Sequence, residues 1–252
     1  MNGYETVRIR ILGGLNALRV DGTPVATEEW RTGKTRDLVR LLALDNGRPV
    51  RLQGLLEKLW PDASPERARG SLRTASSQIR RVLGTNCVVR HPDGLILQDA
   101  WVDAIEFLGQ ARRVTMAARA GHHAQVLAIS RMAESLYAGD FRAYSDDAPW
   151  AVSARERLAL ARHDLLCEAA ASALAMRLPR EAAELADKAV RIDWASERGH
   201  RLLMAAHAER GEIAMALRVF ETHRAQLAAE LGADPSPQTR ELHLRLLRGD
   251  TA

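Results

Sequence analysis

Apolar and polar residues alternate at the start of the chain, which is typical of β-strands. The run VRIRIL begins at Val7, and Asp21-Gly22 is a strong hairpin signal between two further short apolar stretches. We therefore expect a small antiparallel sheet between Val7 and Val25.

A helical period replaces this alternation from Lys34 onward. Leucines recur at helical spacing until Asn46-Gly47, where the pattern stops. A second helix fits Leu52–Trp60, and Pro61 ends it. Two helices are thus expected after the sheet.

The third predicted helix is the stretch ERARGSLRTASSQIRRVLG at residues 66–84, for which Ser64 is a suitable N-cap and Pro65 a suitable first residue. Its apolar stripe consists of Ala68, Leu72, Ala75, Ile79, Val82 and Leu83. The run VVRHPDGLILQ that follows predicts a β-hairpin around Pro92–Gly94. A sheet, three helices and a terminal hairpin indicate an α+β winged helix-turn-helix domain over residues 1–101.

Residues 102–252 predict an all-α domain that is rich in Ala, Leu and Arg and long enough for six or seven helices. The expected breaks are Gly121, the loop YAGDFRAYSDDAPW at residues 137–150, Leu178-Pro179, Asp193, Gly211 and Gly232–Pro237. Residues Arg177–Ala189 align with Gly211–His223 at an offset of 34 residues, which is the tetratricopeptide period. A tetratricopeptide-like helical domain follows from this offset.

Positive charge is concentrated in the N-terminal part of the chain. Residues 1–102 contain 16 Lys and Arg against 11 Asp and Glu, and the segment 64–90 alone contains six arginines and one acid. Residues 103–252 are almost neutral. A local basic patch of this kind is expected of a surface that binds nucleic acid.

The polar face of the third helix combines arginines with small side chains. Opposite the apolar stripe lie Gly70, Arg73, Thr74, Ser77, Arg80 and Arg81, with Arg69 and Ser76 at the margin. Arginine can bind phosphate or the acceptor edge of guanine, and small residues allow a helix to approach the floor of a major groove. A solvated helix face is the alternative.

Further basic residues flank this helix. Arg90 and His91 lie near the predicted hairpin tip, where they could touch phosphate or a minor groove. Arg31, Lys34 and Arg36 near the first helix are also candidates for phosphate contacts, although solvated surface is the favoured interpretation of these three.

The order of these motifs resembles the actinobacterial antibiotic regulatory protein (SARP) family of transcription activators. The N-terminal resemblance rests on GKTRDLVRLLALDNGRPV, LLEKLWPDASPERARGSLRTASSQIRRVLG and WVD. The C-terminal run RGHRLLMAAHAERGEIAMALRVFETHRAQLAAELGADPSPQTRELHLRLL resembles the family's bacterial transcriptional activation domain. The runs LW-P-D-x-x-P-E-x-A-R and A-E-L-G-x-x-P-S-P are specific together, and the resemblance spans Val7–Leu247.

The resemblance implies a winged helix of the response-regulator output type that binds direct repeats in double-stranded promoter DNA, as a homodimer at least on DNA. It also implies contacts with RNA polymerase and its sigma factor. The implied DNA contacts are Arg69, Arg73, Thr74, Ser77, Arg80 and Arg81 on the recognition helix Pro65–Leu83, and Arg90 on the wing. The implied polymerase-contacting loop consists of Trp60, Pro61, Asp62, Ala63, Ser64, Pro65 and Glu66, for which a tight turn is the alternative.

Three features depart from the family pattern. Leu95 stands in the wing where the family tends to have a tyrosine. Arg177 and Trp194 replace small or turn residues that are expected in the helical repeats. The chain ends at Ala252, whereas larger members continue into a nucleotide-hydrolysing domain, so a short stand-alone regulator is expected.

Enzymatic functions are disfavoured by the sequence. Gly33-Lys34-Thr35 resembles the end of a phosphate-binding loop, but Glu28 occupies the position where such a loop requires glycine. The pairs His122-His123 and His200 with His207 have no acid or thiol at ligand spacing, and no Ser/His/Asp or Cys/His set can be assembled. We expect no enzymatic activity, no metal and no cofactor.

The remaining sequence features indicate the cellular location and leave one alternative function open. Cys87 and Cys167 are expected to be reduced structural thiols, and the chain shows neither a signal peptide nor a membrane-length apolar run, which predicts a cytoplasmic protein. A protein-interaction scaffold or effector-sensing helical-repeat module is the alternative function. The basic third helix favours DNA over that alternative, because only phosphate binding requires such a charge.

Overall fold

A computed structural model describes residues 6–84 and 86–249 of the chain. These residues form two compact units. The first contains the described residues up to Gly109 together with Glu134–Leu158, and the second contains Gln110–Ala133 together with the described residues from Ala159 onward. The first unit thus includes a segment beyond residue 101, and the domain boundary expected there stays a prediction.

The helices, and the hairpin that follows the third helix, have the order that the sequence predicts. The strands are β1 (Val7–Arg10), β2 (Asn16–Leu18), β3 (Val50–Arg51), β4 (Val88–His91), β5 (Gly94–Leu97) and β6 (Ala100–Val102). The helices are α1 (Gly33–Leu44), α2 (Leu52–Leu59), α3 (Pro65–Leu83), α4 (Asp103–Arg119), α5 (His123–Leu136), α6 (Pro149–Ala175), α7 (Pro179–Ile192), α8 (Glu197–Glu209), α9 (Ile213–Leu231) and α10 (Pro237–Arg248). A 3₁₀ turn at Thr27–Trp30 precedes α1.

The N-terminal sheet has the strand order β2-β1-β6. The predicted antiparallel pairing of β1 with β2 is confirmed, but the chain turns between them at residues 11–15. Asp21-Gly22 instead lies in a shorter turn whose single bridge joins Leu18 to Pro24. The parallel pairing of β1 with β6 was not predicted, because strands so distant in sequence give no local signal.

Asp103 fastens α4 to this sheet. It is the first residue of α4, it is fully buried, and its Oδ1 accepts hydrogen bonds from the Ile11 N–H at 2.9 Å and the Ala104 N–H at 2.7 Å. Its Oδ2 accepts from the Leu12 N–H at 3.2 Å. Burial raises the pKa of Asp103, while these three backbone donors act in the opposite direction.

The winged helix-turn-helix arrangement is confirmed. Helices α1, α2 and α3 are followed by the hairpin β4–β5, which is the wing. The wing gains a third strand, β3, because Val50 pairs with Leu95. Gly94 makes this pairing possible, since a Cβ atom there would lie 1.9 Å from the Val50 carbonyl oxygen. Leu95, the departure from the family's tyrosine, is buried in this sheet.

The loop between α5 and α6 packs on α1 within the first unit. The Asp37 carboxylate accepts hydrogen bonds from the Tyr144 N–H at 2.7 Å and the Ser145 N–H at 3.0 Å. Asp37 is fully buried and pairs with Arg40 at 3.3 Å. Arg36 lies over the Tyr144 ring at 5.3 Å, a cation–π contact that adds to the packing of this loop on α1.

The breaks predicted in the helical part are all confirmed by the helix bounds. The 34-residue offset is also confirmed, because α7 and α9 begin at Pro179 and Ile213, and the helices before them, α6 and α8, end at Ala175 and Glu209. The expected tetratricopeptide-like hairpins are therefore present.

Arg177 occupies the turn position that glycine holds in the other hairpins. Its φ is 57°, against 72° for Gly121 and 77° for Gly211. In each turn the next residue's N–H bonds to a carbonyl five residues earlier: His122 to Ala117, Leu178 to Ala173, and Glu212 to His207. The sequence departure at Arg177 thus leaves the turn geometry intact, although a side chain in the left-handed region adds strain.

Candidate nucleic-acid interface

The start and end of α3 are set by local sequence. Ser64 Oγ accepts a hydrogen bond from the Arg67 N–H at 3.5 Å, Pro65 is the first helical residue, and Glu66 places the stretch's one acid in the first turn. The helix ends at Gly84, whose φ is 112°. The capping prediction is confirmed.

Packing from one side leaves the other side of α3 exposed. All six residues of the predicted apolar stripe are buried. Behind the helix, Arg19 Nε donates to the Val82 carbonyl at 2.9 Å, and Gln78 Nε2 donates to the Glu29 carbonyl at 2.7 Å. A cation at a helix C-terminus is favourable because the last carbonyls carry partial negative charge. These contacts fix the orientation of the helix in the first unit.

The structure places most of the predicted DNA contacts in solvent. The exposed members are Arg69, Arg73, Thr74, Ser77 and Arg81 on α3, and Arg90 on β4. Thr74 Oγ1 donates to the Gly70 carbonyl at 3.1 Å. Ser76, expected at the margin of this face, is instead buried, and its hydroxyl donates to the Leu72 carbonyl at 2.7 Å. Ser76 therefore supports the helix rather than its exposed face.

Arg80 has a structural contact that the sequence did not reveal. It is only partly exposed, and its Nε donates to the Val88 carbonyl at 2.7 Å, which joins α3 to the first strand of the wing. At the other end of the wing, the Asp93 N–H donates to His91 Nδ1 at 3.2 Å. Side chains thus contact the wing backbone both at its base and at its tip.

We expect Arg80→Ala to lower the free energy of unfolding by about 1 kcal/mol, because the Val88 carbonyl loses its side-chain donor. Arg81→Ala removes the same charge from an exposed position on the same helix and should change stability by less than about 0.5 kcal/mol. Urea denaturation of the two variants measures this difference. Equal stabilities would show that the Arg80 contact does not hold the wing.

Arginines in the second unit are commonly paired with acids. Arg131 pairs with Glu181 at 2.7 Å, Arg191 with Asp187 at 2.9 Å, and Arg224 with Glu221 at 2.7 Å. Such surface pairs add little stability, but they neutralise the surface locally.

The exposed arginines of α3 and of the wing lack such partners among the described residues. Within residues 6–84 and 86–249, no ion pair or hydrogen bond engages the guanidinium groups of Arg69, Arg73, Arg81 and Arg90. Their charges are available to an external anion.

Two concave regions lie on either side of the exposed face of α3. On one side, α2, α3 and the wing enclose a cavity of about 320 Å³, which we call the arginine cavity. It is lined by Arg69, Arg73, Arg80 and Arg90 together with Leu52, Gln53, Leu56, Leu72, Ser76 and Leu95. On the other side, a groove of about 590 Å³ between α1 and α3 brings Arg31 and Lys34 close to Arg67 and Thr74. The fold therefore gathers basic residues from separate parts of the sequence around one helix.

The α2–α3 loop is short and tightly held. The Trp60 N–H bonds to the Leu56 carbonyl at 2.8 Å, and the Ala63 N–H bonds to the Trp60 carbonyl at 3.2 Å. Within the predicted polymerase-contacting segment, the exposed residues are Pro61, Asp62, Ser64, Pro65 and Glu66, whereas Trp60 and Ala63 are partly buried. The loop has the form of a tight turn with an exposed edge.

The sequence motifs that resembled a phosphate-binding loop and a histidine-based metal or acid/base site have structural roles. Gly33-Lys34-Thr35 forms the first turn of α1, in which Thr32 Oγ1 accepts from the Thr35 N–H at 3.1 Å and Lys34 Nζ donates to Ser145 Oγ at 3.3 Å. His200 stacks on His223 with ring centroids 3.8 Å apart, and His207 Nδ1 lies 2.7 Å from Glu212. Among the described residues, no group of three or more His, Cys, Asp and Glu is arranged to bind a metal ion.

One arrangement that resembles a catalytic triad arises only in three dimensions. His163 Nε2 lies 2.7 Å from Ser196 Oγ, and His163 Nδ1 lies 3.2 Å from Asp164 Oδ1. Ser196 Oγ also accepts from the Gly199 N–H as the N-cap of α8, and the Asp164 side chain is 62% exposed. A catalytic Asp is normally buried against its His, so we interpret this cluster as a helix cap.

The two cysteines are buried and unpaired with each other. Burial raises the pKa of each thiol to about 11, which makes both unreactive at neutral pH. In the described part of the chain, no helix has both the length and the apolar character needed to span a bilayer.

The fold and the exposed helix together define a winged helix-turn-helix protein with a tetratricopeptide-like helical unit. Residues 102–247 match the family model of the bacterial transcriptional activator domain. This match covers more than half of the chain, so the protein belongs to the family of actinobacterial antibiotic regulatory proteins, whose members are transcriptional regulators.

Individual relatives agree with this assignment. The regulatory protein AfsR of Streptomyces coelicolor is 31% identical over 250 residues, which is 98% of this chain and 25% of AfsR. The transcriptional regulatory protein EmbR of Mycobacterium tuberculosis is 27% identical over 263 residues, covering 98% of this chain and 66% of EmbR. The chain thus spans a quarter of AfsR and about two thirds of EmbR.

A solved structure confirms the fold. Mycobacterium tuberculosis EmbR, in complex with a low-affinity phosphopeptide, matches with a TM-score of 0.80 at 25% identity over 97% of this chain and 65% of that chain.

Proposed function

We propose that the protein is a sequence-specific DNA-binding transcription activator. The observation that supports this best is the exposed arginine face of α3, which has no acidic partner among the described residues and occupies the recognition-helix position of a winged helix-turn-helix. The proposed DNA contacts are Arg69, Arg73, Thr74, Ser77, Arg80, Arg81 and Arg90. Guanidinium groups can bind both base edges and phosphates, and the short side chains of Thr74 and Ser77 permit close approach.

Binding to DNA is tested directly by fluorescence anisotropy of a labelled duplex at several salt concentrations. We expect the logarithm of the affinity to fall linearly with the logarithm of salt concentration, with a slope of about 0.9 for each phosphate contacted. Because this electrostatic component does not depend on sequence, a mixed-sequence duplex suffices. An absence of salt-dependent affinity for any duplex would remove the proposal.

The resemblance to the family further supports binding of two protomers to direct repeats. Two protomers in the same orientation would place their α3 helices in successive major grooves, about one helical turn apart. Selection of bound fragments from random DNA would recover two copies of one sequence in the same direction. Recovery of inverted copies would replace this arrangement with a two-fold symmetric dimer.

The α2–α3 loop is proposed to contact RNA polymerase or its sigma factor. Its exposed edge, Pro61 and Asp62, precedes α3 and lies outside the arginine face of that helix. Both residues are therefore available to a second macromolecule while α3 lies on DNA.

We expect Asp62→Ala to leave DNA affinity within twofold of the wild type, because Ser64, and not Asp62, caps α3. The same change should lower transcription several-fold in a reconstituted assay with polymerase and a target promoter. Glu57→Ala, a substitution of another exposed acid on the preceding helix, is the matched control. Transcription equal to the wild type would remove the proposed polymerase role of the loop.

A further inference from the structure

We propose that the arginine cavity binds a small amphiphilic organic anion, and that this ligand competes with DNA for α3. The cavity has two chemically different parts, an apolar floor and a basic rim. A ligand with an apolar body and one acidic group would match both.

The floor consists of leucine side chains from three elements. Leu56, Leu72 and Leu95 are buried and form its base. Leu52, at the first position of α2, leaves 45% of its surface exposed at the cavity edge. An apolar body placed here would remove this leucine from water, which is favourable.

The rim is formed by arginines, and no acidic residue in the described part of the chain lines the cavity. Among the described residues, the guanidinium groups of Arg69, Arg73 and Arg90 have no hydrogen-bond or ion-pair partner, whereas Arg80 has its Nε bound to the Val88 carbonyl. Guanidinium groups bind carboxylate, sulfonate and phosphate oxygens in a bidentate manner. The occupant is therefore an anion.

The volume favours a small molecule. About 320 Å³ is near the lower end of the range of about 300–1,000 Å³ for ligand pockets, and it suits a body of one or two rings. A DNA backbone would satisfy the arginines, but its phosphates would gain nothing from a leucine floor. An amphiphilic anion uses the whole cavity.

The proposed competition between ligand and DNA rests on the proposed DNA-binding function, whereas binding of the ligand to the arginine cavity does not. Arg69 and Arg73 would be neutralised and covered by the ligand, so they could not contact DNA at the same time. Because binding linkage is reciprocal, DNA must weaken ligand binding by the same factor by which the ligand weakens DNA binding.

The test uses 8-anilinonaphthalene-1-sulfonate as the probe and the full chain without DNA. We expect a saturable rise in fluorescence with one site per chain. N-phenyl-1-naphthylamine has the same ring system without the sulfonate and should bind roughly tenfold more weakly, because it lacks the charge-assisted hydrogen bonds. Absence of saturable binding, or equal affinity for the two probes, would overturn the proposal.

Three variants locate the site. Arg73→Ala and Leu52→Asn should each weaken probe binding roughly tenfold, since one removes a rim charge and the other part of the floor. Arg81→Ala removes an exposed charge from the same helix outside the cavity and should bind the probe like the wild type. Near-ultraviolet circular dichroism confirms that each variant is packed, because this probe also binds molten states. Wild-type affinity in both cavity variants would overturn the assignment.

Displacement by DNA separates the two proposals. A mixed-sequence duplex at low salt should release the bound probe, and Leu52→Asn should retain duplex affinity while losing the probe. Simultaneous binding of probe and duplex would overturn the competition. If no duplex binds but the probe does, the DNA-binding function fails and the ligand site stands.

Discussion

Replacing Arg73 with alanine is expected to weaken binding to a specific duplex by about 1–3 kcal/mol if this arginine reads a base. Arg73 is exposed, has no acidic partner among the described residues and lines the arginine cavity. Since each 1.4 kcal/mol is about a tenfold change, the expected loss of affinity is roughly 5-fold to 150-fold.

The salt dependence distinguishes the two roles that an arginine can have on DNA. If Arg73 holds only a phosphate, affinity falls for all sequences alike and the salt slope decreases by about one unit. If it reads a base, discrimination between the selected site and a mismatched site is lost as well. Titration of both duplexes with wild type and Arg73→Ala over a salt series shows whether Arg73 reads a base or holds only a phosphate.

Arg240→Ala serves as the control, because Arg240 is an exposed arginine on α10 in the second unit. It should leave both the affinity and the salt slope unchanged. A variant Arg73→Ala that binds every duplex like the wild type would exclude this residue from the interface.

Replacing Asp103 with alanine is expected to lower the free energy of unfolding by about 2–5 kcal/mol. The carboxylate accepts from the N–H groups of Ile11 and Leu12, which follow β1, and from the Ala104 N–H at the start of α4. Asp103 is fully buried, and Ile11 and Leu12 are almost completely buried, so water cannot replace the lost acceptor. Each buried donor left without a partner costs about 1–3 kcal/mol.

Denaturation by urea, with the slope of the transition as a check on two-state behaviour, measures the loss. Asp103→Asn retains one acceptor oxygen and should lose less than Asp103→Ala. Asp234→Ala removes an exposed acid and should be neutral within about 0.5 kcal/mol. A loss below about 1 kcal/mol for Asp103→Ala would mean that β1 and α4 are not held through this carboxylate.

Most helices and the recognition-helix position were predictable because their signals are local. Ser64 and Pro65 fix the start of α3, its apolar stripe selects the buried face, and glycine or proline marks every break between the later helices except the one at Asp193. Even Arg177, which has a side chain that its turn disfavours, has a φ in the same left-handed region as the glycines at equivalent positions. Here the repeat geometry outweighs the local preference of one residue.

Other features had no local signal. The parallel pairing of β1 with β6, the Asp103 contacts and the packing of the loop at residues 137–148 on α1 all join segments distant in sequence. The turn at Asp21-Gly22 was expected to join the main strands, but the earlier turn at residues 11–15 does so. A turn signal identifies where the chain can reverse, and tertiary packing selects which reversal joins paired strands.

The candidate interface also combines features that the sequence predicts with features that depend on tertiary packing. The sequence by itself determined that α3 has an apolar face and an arginine face, because both depend only on helical period and on residue type. Only the tertiary structure decided that Arg80 anchors the wing, that Ser76 is buried, and that Arg90 joins Arg69 and Arg73 around one leucine-floored cavity. The physical reason is that charge and amphipathicity are properties of a short segment, whereas a cavity exists only where separate segments pack around a common space.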